Sequence, residues 1–161
     1  IIAAINGHAV GLGATLALLC DVIIAERSAK IGDPHVKIGV VSGDGGSVIW
    51  PLLCGPARAK QYLMTGDLLL ADEAERIGLV NMVVDDGDAV KEANAFAERL
   101  LSLPPLAVKW TKFSVNKLLR EQVNLVLDTS LALEGMTILS DDHKEATSSF
   151  LEKRPPTYAG R

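Results

Sequence analysis

The chain has 161 residues, 48% of them hydrophobic, which is enough for one domain with its own core. A net charge of −4 gives no electrostatic reason to expect nucleic acid, and no apolar run is long enough to span a membrane. Cys20 and Cys54 are the only cysteines and lack metal-ligand spacing, so buried reduced thiols in a cytoplasmic protein without a metal are expected.

Ile1 to Ile5 form a short apolar run suited to a buried strand, and Asn6-Gly7 breaks it with turn chemistry. Gly11 to Leu19 read as a helix of small and apolar residues. A strand, a glycine-containing turn and a helix start leave backbone N–H groups unpaired and pointing outward, which suits a phosphate or a developing oxyanion. Gly11-x-Gly13 also matches part of a dinucleotide-binding turn, although its third glycine would fall at Leu16. Close strand–helix packing is a third reading of the same small residues.

Asp21 to Glu26 (DVIIAE) read as a second buried strand, which completes a βαβ unit and implies mostly parallel pairing. After a turn at Arg27 to Ala29, Lys30-Ile31-Gly32 is a short extended piece. In Asp33-Pro34-His35 the proline biases Asp33 away from helix and holds His35 in a defined loop position. Gly39 to Gly46 read as a flexible connector. A helical pattern starts at Ser47, with Pro51 expected to end or kink it, and Pro56 opens a second helix over Ala57 to Met64. A turn at Thr65-Gly66-Asp67, a short helix from Ala71 ending at Gly78, and a last strand over Leu79 to Val84 follow.

The remainder reads as all-helical, giving an α/β part over residues 1–102 and a helical part over 103–161. Val90, Ala93, Ala97, Leu100 and Leu101 recur at helical spacing as a core face, and Leu106, Trp110 and Phe113 share a face beyond Pro104-Pro105. Val123 to Leu139 is apolar on more than one stripe, including Leu125, Val126, Leu131, Leu133 and Ile138, which calls for cover by an intrachain core or by a second subunit.

Asn6-Gly7-x-x-x-Gly11-x-Gly13 followed by Leu18-Leu19-Cys20-Asp21-Val22 resembles the signature of the enoyl-CoA hydratase/isomerase (crotonase) family. The resemblance continues through GDPHVKIGVVSGDGG (32–46) and YLMTGDLLLADEAERIGLVNMVV (62–84) to FLEKR (150–154). It implies a crotonase-like (ClpP/crotonase) α/β fold, with a βαβ core followed by a helical C-terminal region. It begins partway through the family domain, which implies that the N-terminal part of the fold is missing from this stretch. It also implies an acyl-CoA or enoyl-CoA thioester as substrate, with no separate cofactor, in a homotrimer or dimer of trimers.

Family members stabilise a thioester enolate with two backbone N–H groups, and one of these corresponds to Leu12, where glycine is usual. The family's hydratases use two glutamates, one positioning water and one moving protons. The first corresponds to Thr15, which bonds water or a thioester oxygen but is no general base, and the second to His35. With an ordinary pKa near 6.5, His35 offers both acid and base forms.

These departures favour isomerisation, or a histidine-assisted lyase or hydrolase step, over two-glutamate hydration. A catalytically silent CoA-thioester-binding subunit is the alternative. Asp33 and Asp44 are candidate carboxylate partners of His35, a solvated turn being the other reading of Asp44, and His8 is a candidate substrate contact. Phe150 and Lys153 match family contacts to the CoA of a neighbouring subunit, or they simply close an exposed helix.

Overall fold

The computed structural model describes residues 1–161. The chain forms two small sheets bridged by one short helix. In the first, β1 (Ile2–Ile5), β3 (Val22–Glu26) and β6 (Met82–Val84) lie parallel in the order β1-β3-β6, with Ile2 opposite Val22 and Ile24 opposite Met82. In the second, β2 (His8–Val10) pairs parallel to β4 (Lys30–Gly32), which pairs antiparallel to β5 (Leu69–Leu70).

Helix α1 (Leu12–Leu18) is therefore the crossover for two parallel pairs at once. The chain leaves the first sheet at Asn6-Gly7 on the way in and at Arg27–Ala29 on the way out, and Lys30 N–H donates to Gly7 O at 3.2 Å where the two exits meet. The expected turn before α1 thus contains a strand, β2. Its three residues carry a single buried side chain, Ala9, too little pattern to read.

The core is one cluster in which Ile5, Leu18, Ile23, Ile31, Trp50, Leu69 and Leu79 pack together. The β-branched centre of β3 is buried because α5 (Ala89–Leu101) packs against β1 and β3. Helix α2 (Gly46–Cys54) does not end at Pro51; the proline lies inside it, and Gly55 N–H donates to Pro51 O at 3.1 Å. Burial of Ile49, Trp50 and Cys54 offsets the lost N–H, a cost of about 3 kcal/mol for an interior proline.

Helix α3 (Pro56–Thr65) ends at Gly66, whose φ of +67° is the left-handed conformation glycine tolerates. After α4 (Ala71–Arg76) the expected strand over 79–84 is shortened. Leu79 and Val80 are buried in a turn, and both of their N–H groups bond Ala74 O.

The buried side of α5 is Ala89, Ala93, Phe96, Ala97 and Leu100; Val90 and Leu101, expected in the core, are exposed. Helix α6 (Pro105–Ile138) runs unbroken for 34 residues, about 50 Å at 1.5 Å per residue. Its Leu106, Trp110 and Phe113 face outward, as do Leu125, Leu131, Leu133 and Ile138, so the wide apolar face is left without intrachain cover.

Ser140 caps α7 (Asp141–Glu152) by accepting from His143 N–H at 3.1 Å, and the tail folds back so that Ala159 and Gly160 N–H donate to Asp142. Both cysteines are free thiols; Cys54 is buried, but Cys20 is only half-buried at the end of α1. No single helix is long and apolar enough to cross a membrane.

Candidate active site

The corner between β2 and α1 rests on Gly11, whose φ of +58° disfavours a side chain. Gly11 N–H donates to Gly32 O at 3.0 Å and joins the ends of β2 and β4. The first helical bond runs from Thr15 N–H to Gly11 O at 3.0 Å, so the N–H groups of Leu12, Gly13 and Ala14 lie outside the helical ladder. The Leu12 side chain is 55% exposed and turns away from the core. Thr15 follows one turn later and is buried, its hydroxyl donating to Asp44 Oδ1 at 3.4 Å.

Asp33 follows β4 with a fully buried side chain. One carboxylate oxygen accepts from His35 Nδ1 and the other from Ser42 Oγ. Burial alone would push this carboxyl up, but the hydrogen bonds from His35 and Ser42 outweigh it and hold the pKa below the usual aspartate range. His35 opens a 3-10 turn (His35–Ile38), and its ring lies over the corner, with Cε1 3.5 Å from where a β-carbon on Gly11 would stand.

With Nδ1–H given to Asp33, Nε2 faces Asp44, whose Oδ2 is 3.7 Å away. The Asp33 hydrogen bond raises the His35 pKa against the opposing effect of burial, and the charges of Asp33, Asp44 and Glu134 add to the rise. The imidazolium form is thereby favoured.

The connector over 39–46, expected to be flexible, is mostly buried and tied in place. From α6, Ser130 Oγ donates to Gly43 O at 2.9 Å and Thr137 Oγ1 accepts from Val41 N–H at 3.1 Å. Its glycines permit close approach: a β-carbon on Gly45, where φ is +124°, would stand 2.7 Å from Thr15 Cγ2, and one on Gly46 would overlap Asp33 and Ser42. That packing turns Asp44 inward toward Thr15 and His35 and removes it from the solvated-turn reading.

Thr15, His35 and Asp44 therefore converge beside the Leu12 N–H. Ser42 supports them through Asp33, and Ser130 through the connector from across the fold, neither with a local sequence signal. His8 is exposed at the start of β2, opposite Lys30, and makes no hydrogen bond to the cluster. Phe150 and Lys153 lie at the exposed end of α7, and Lys153 adopts a φ of +55° where the helix stops.

Asp33, His35 and Asp44 have possible ligand atoms within 4.8 Å of one another. The two carboxylates nevertheless meet opposite nitrogens of one ring, and both Asp33 oxygens are already engaged. This is the geometry of a proton relay and not that of a cage for one ion.

The enoyl-CoA hydratase/isomerase family model matches residues 1–161. The chain is 40% identical to a crotonyl-CoA hydratase of Syntrophomonas wolfei over 161 residues, all of this chain and 62% of that protein. It is 39% identical to a short-chain-enoyl-CoA hydratase of Clostridium acetobutylicum over 96% of this chain and 59% of that protein. It thus spans about three fifths of these two relatives.

Among solved structures, an enoyl-CoA hydratase/isomerase from Pseudoalteromonas atlantica superposes with a TM-score of 0.92 at 34% identity, over 99% of this chain and 64% of that one. A carnitinyl-CoA hydratase from Mycobacterium avium superposes with a TM-score of 0.90 at 36% identity, over 99% of this chain and 62% of that one. The split βαβ crossover, its glycine corner and the helical C-terminal part are the crotonase fold, and the chain belongs to the enoyl-CoA hydratase/isomerase family.

Proposed function

We propose that the protein acts on acyl-CoA thioesters and adds water reversibly across the 2,3 double bond of a 2-enoyl-CoA. His35 and Asp44 take the parts that two glutamates play in the family's hydratases. The observation that carries this reading is the inward turn of Asp44, which returns a carboxylate to Thr15 and sets it against His35.

The thioester oxygen accepts from the Leu12 N–H, with a second donor that in the family comes from the preceding part of the domain. Asp44, oriented by the Thr15 hydroxyl, takes a proton from water as the water oxygen bonds to C3. The electron pair moves through C2 onto the thioester oxygen, where the N–H dipole stabilises the enolate. The His35 imidazolium returns a proton from Nε2 to C2, and Asp33 keeps the ring oriented as its charge is lost. The cycle closes when the proton on Asp44 passes to Nε2 across the 3.7 Å gap.

The hydratase names of the relatives favour water addition over isomerisation, in which His35 would instead carry a proton between C2 and C4. The silent binding subunit is disfavoured by the acid–base pair at the corner. Loss of the enoyl absorbance of crotonyl-CoA, with formation of its 3-hydroxy product, is expected for the protein. A fall of about 10²-fold or more is expected in His35→Gln and Asp44→Asn. Tight CoA-thioester binding with no turnover on a panel of enoyl-CoAs would favour the silent subunit instead.

The same reading assigns the outward apolar residues of α6, among them Leu125, Leu131 and Met136, to a subunit boundary. It assigns Phe150 and Lys153 to the neighbour's CoA and the enzyme to the cytoplasm. A monomer at micromolar concentration in sedimentation would contradict the boundary.

A further inference from the structure

The 3-10 turn His35–Ile38 has no buried residue, so no side chain of its own anchors it in the core. It is held at its two ends. At the first, Asp33 binds His35 Nδ1. At the other, His143 of α7 donates from Nδ1 to Ile38 O at 2.6 Å, across 105 residues of sequence. The backbone of α7 comes close there too: a β-carbon on Gly39, where φ is +69°, would stand 3.0 Å from both Cα and N of His143. Val40 N–H returns to His35 O at 3.0 Å, so the carbonyl that His143 holds lies within a backbone ring closed on His35.

We propose that His143 is a positioning residue of the acid–base site, which holds the 3-10 turn by the Ile38 carbonyl and so sets where the His35 ring stands over the Leu12 corner. The inference rests on the hydratase reading above and deepens it, because it names what fixes the acid from outside the site. His143 is half-buried and makes no hydrogen bond to Asp33, Asp44 or the His35 ring, so it takes no part in proton transfer. It is itself held in place. Ser140 Oγ accepts from His143 N–H at 3.1 Å, and the folded-back tail binds the adjacent Asp142 through Ala159 and Gly160 N–H. A misplacement of the acid by one ångström costs up to about 10²-fold in rate, so a turn without core anchorage needs such a clamp.

The test begins with nitrogen NMR of the imidazole rings, each of the three histidines assigned by its own substitution with Gln. Neutral His143 is expected to carry its proton on Nδ1, since that nitrogen donates to a carbonyl. His143→Leu keeps the bulk and loses the donor, whereas His143→Asn sets an amide N–H in the place of Nδ1. His143→Leu is expected to shift the His35 ring signals and to lower kcat for crotonyl-CoA about tenfold, with KM changed by no more than about twofold. His143→Asn is expected to restore both.

An unmoved His35 ring signal in folded His143→Leu overturns the proposal, as does full kcat in that variant. So does an equal loss in His143→Leu and His143→Asn, which would mark a packing effect, or a neutral His143 protonated on Nε2. The ring signals need no turnover. A protein inactive on crotonyl-CoA would therefore refute the hydratase reading while the signals still decide the role of His143.

Discussion

Replacing Asp33 with asparagine removes one charge from a wholly buried side chain and leaves its shape almost unchanged. In the native site that charge accepts hydrogen bonds from His35 Nδ1 and Ser42 Oγ, both inside the protein. A hydrogen bond to a charged group contributes about 1.5–3 kcal/mol, and one pKa unit corresponds to about 1.4 kcal/mol. Asparagine retains an acceptor oxygen but loses the charge, so the His35 midpoint should fall toward its ordinary value.

Stability follows the same linkage. The raised His35 pKa contributes stability that is fully present below about 6.5 and is lost as pH rises through the folded value. The lowered Asp33 pKa contributes stability present above 3.8 and lost as pH falls through its folded value. Asp33→Asn should flatten both dependences in urea unfolding measured from pH 3 to pH 9. It should also reduce kcat above neutrality, where too little imidazolium remains. A His35 midpoint that rises or stays fixed in Asp33→Asn would refute the relay.

Three further changes test other parts of the site. Leu12→Pro deletes the N–H at the first position of α1, where proline is tolerated, and should lower kcat by about 10²–10³ with the fold retained, whereas Leu12→Ala should not. Thr15→Val keeps the shape of a buried side chain but loses the bond to Asp44, and steady-state kinetics should show about a tenfold fall in kcat with little change in KM. At the far end of α7, the Arg154 side chain and the Thr157 N–H bind Glu145 and draw its carboxyl down to about 2; in Arg154→Ala its carboxyl resonance should titrate much closer to 4.5.

Much of this architecture is legible locally. The apolar run of β1, the small residues of α1 and the β-branched centre of β3 announce a parallel crossover, and the glycine corner marks where N–H groups stand free. Asp33-Pro34-His35 places a histidine near that corner. What is hidden depends on contacts between distant segments. Asp44 reaches Thr15 only because Gly45 and Gly46 let the connector close on α1 and Asp33, and spacing alone cannot distinguish that from a loose loop.

Ser130 and Thr137 are hidden for the same reason, since their helix reads as apolar and their hydroxyls gain meaning only against the connector. Strand β2 is too short to show a period, and Pro51 follows its local preference less than the burial of Trp50 beside it. Val90 and Leu101 show the opposite failure: helical spacing placed them in the core, but the stripe that packs on the sheet lies a step around α5.

The central claim is that an enolate forms at the Leu12 corner and receives its proton from His35. It is tested most directly by incubating the protein with crotonyl-CoA in deuterated water and locating the label by mass spectrometry and NMR. The account predicts deuterium at C2 of the 3-hydroxy product, with the rate of incorporation falling about 10²-fold or more in His35→Gln. Product formed and labelled at an undiminished rate in His35→Gln would contradict it.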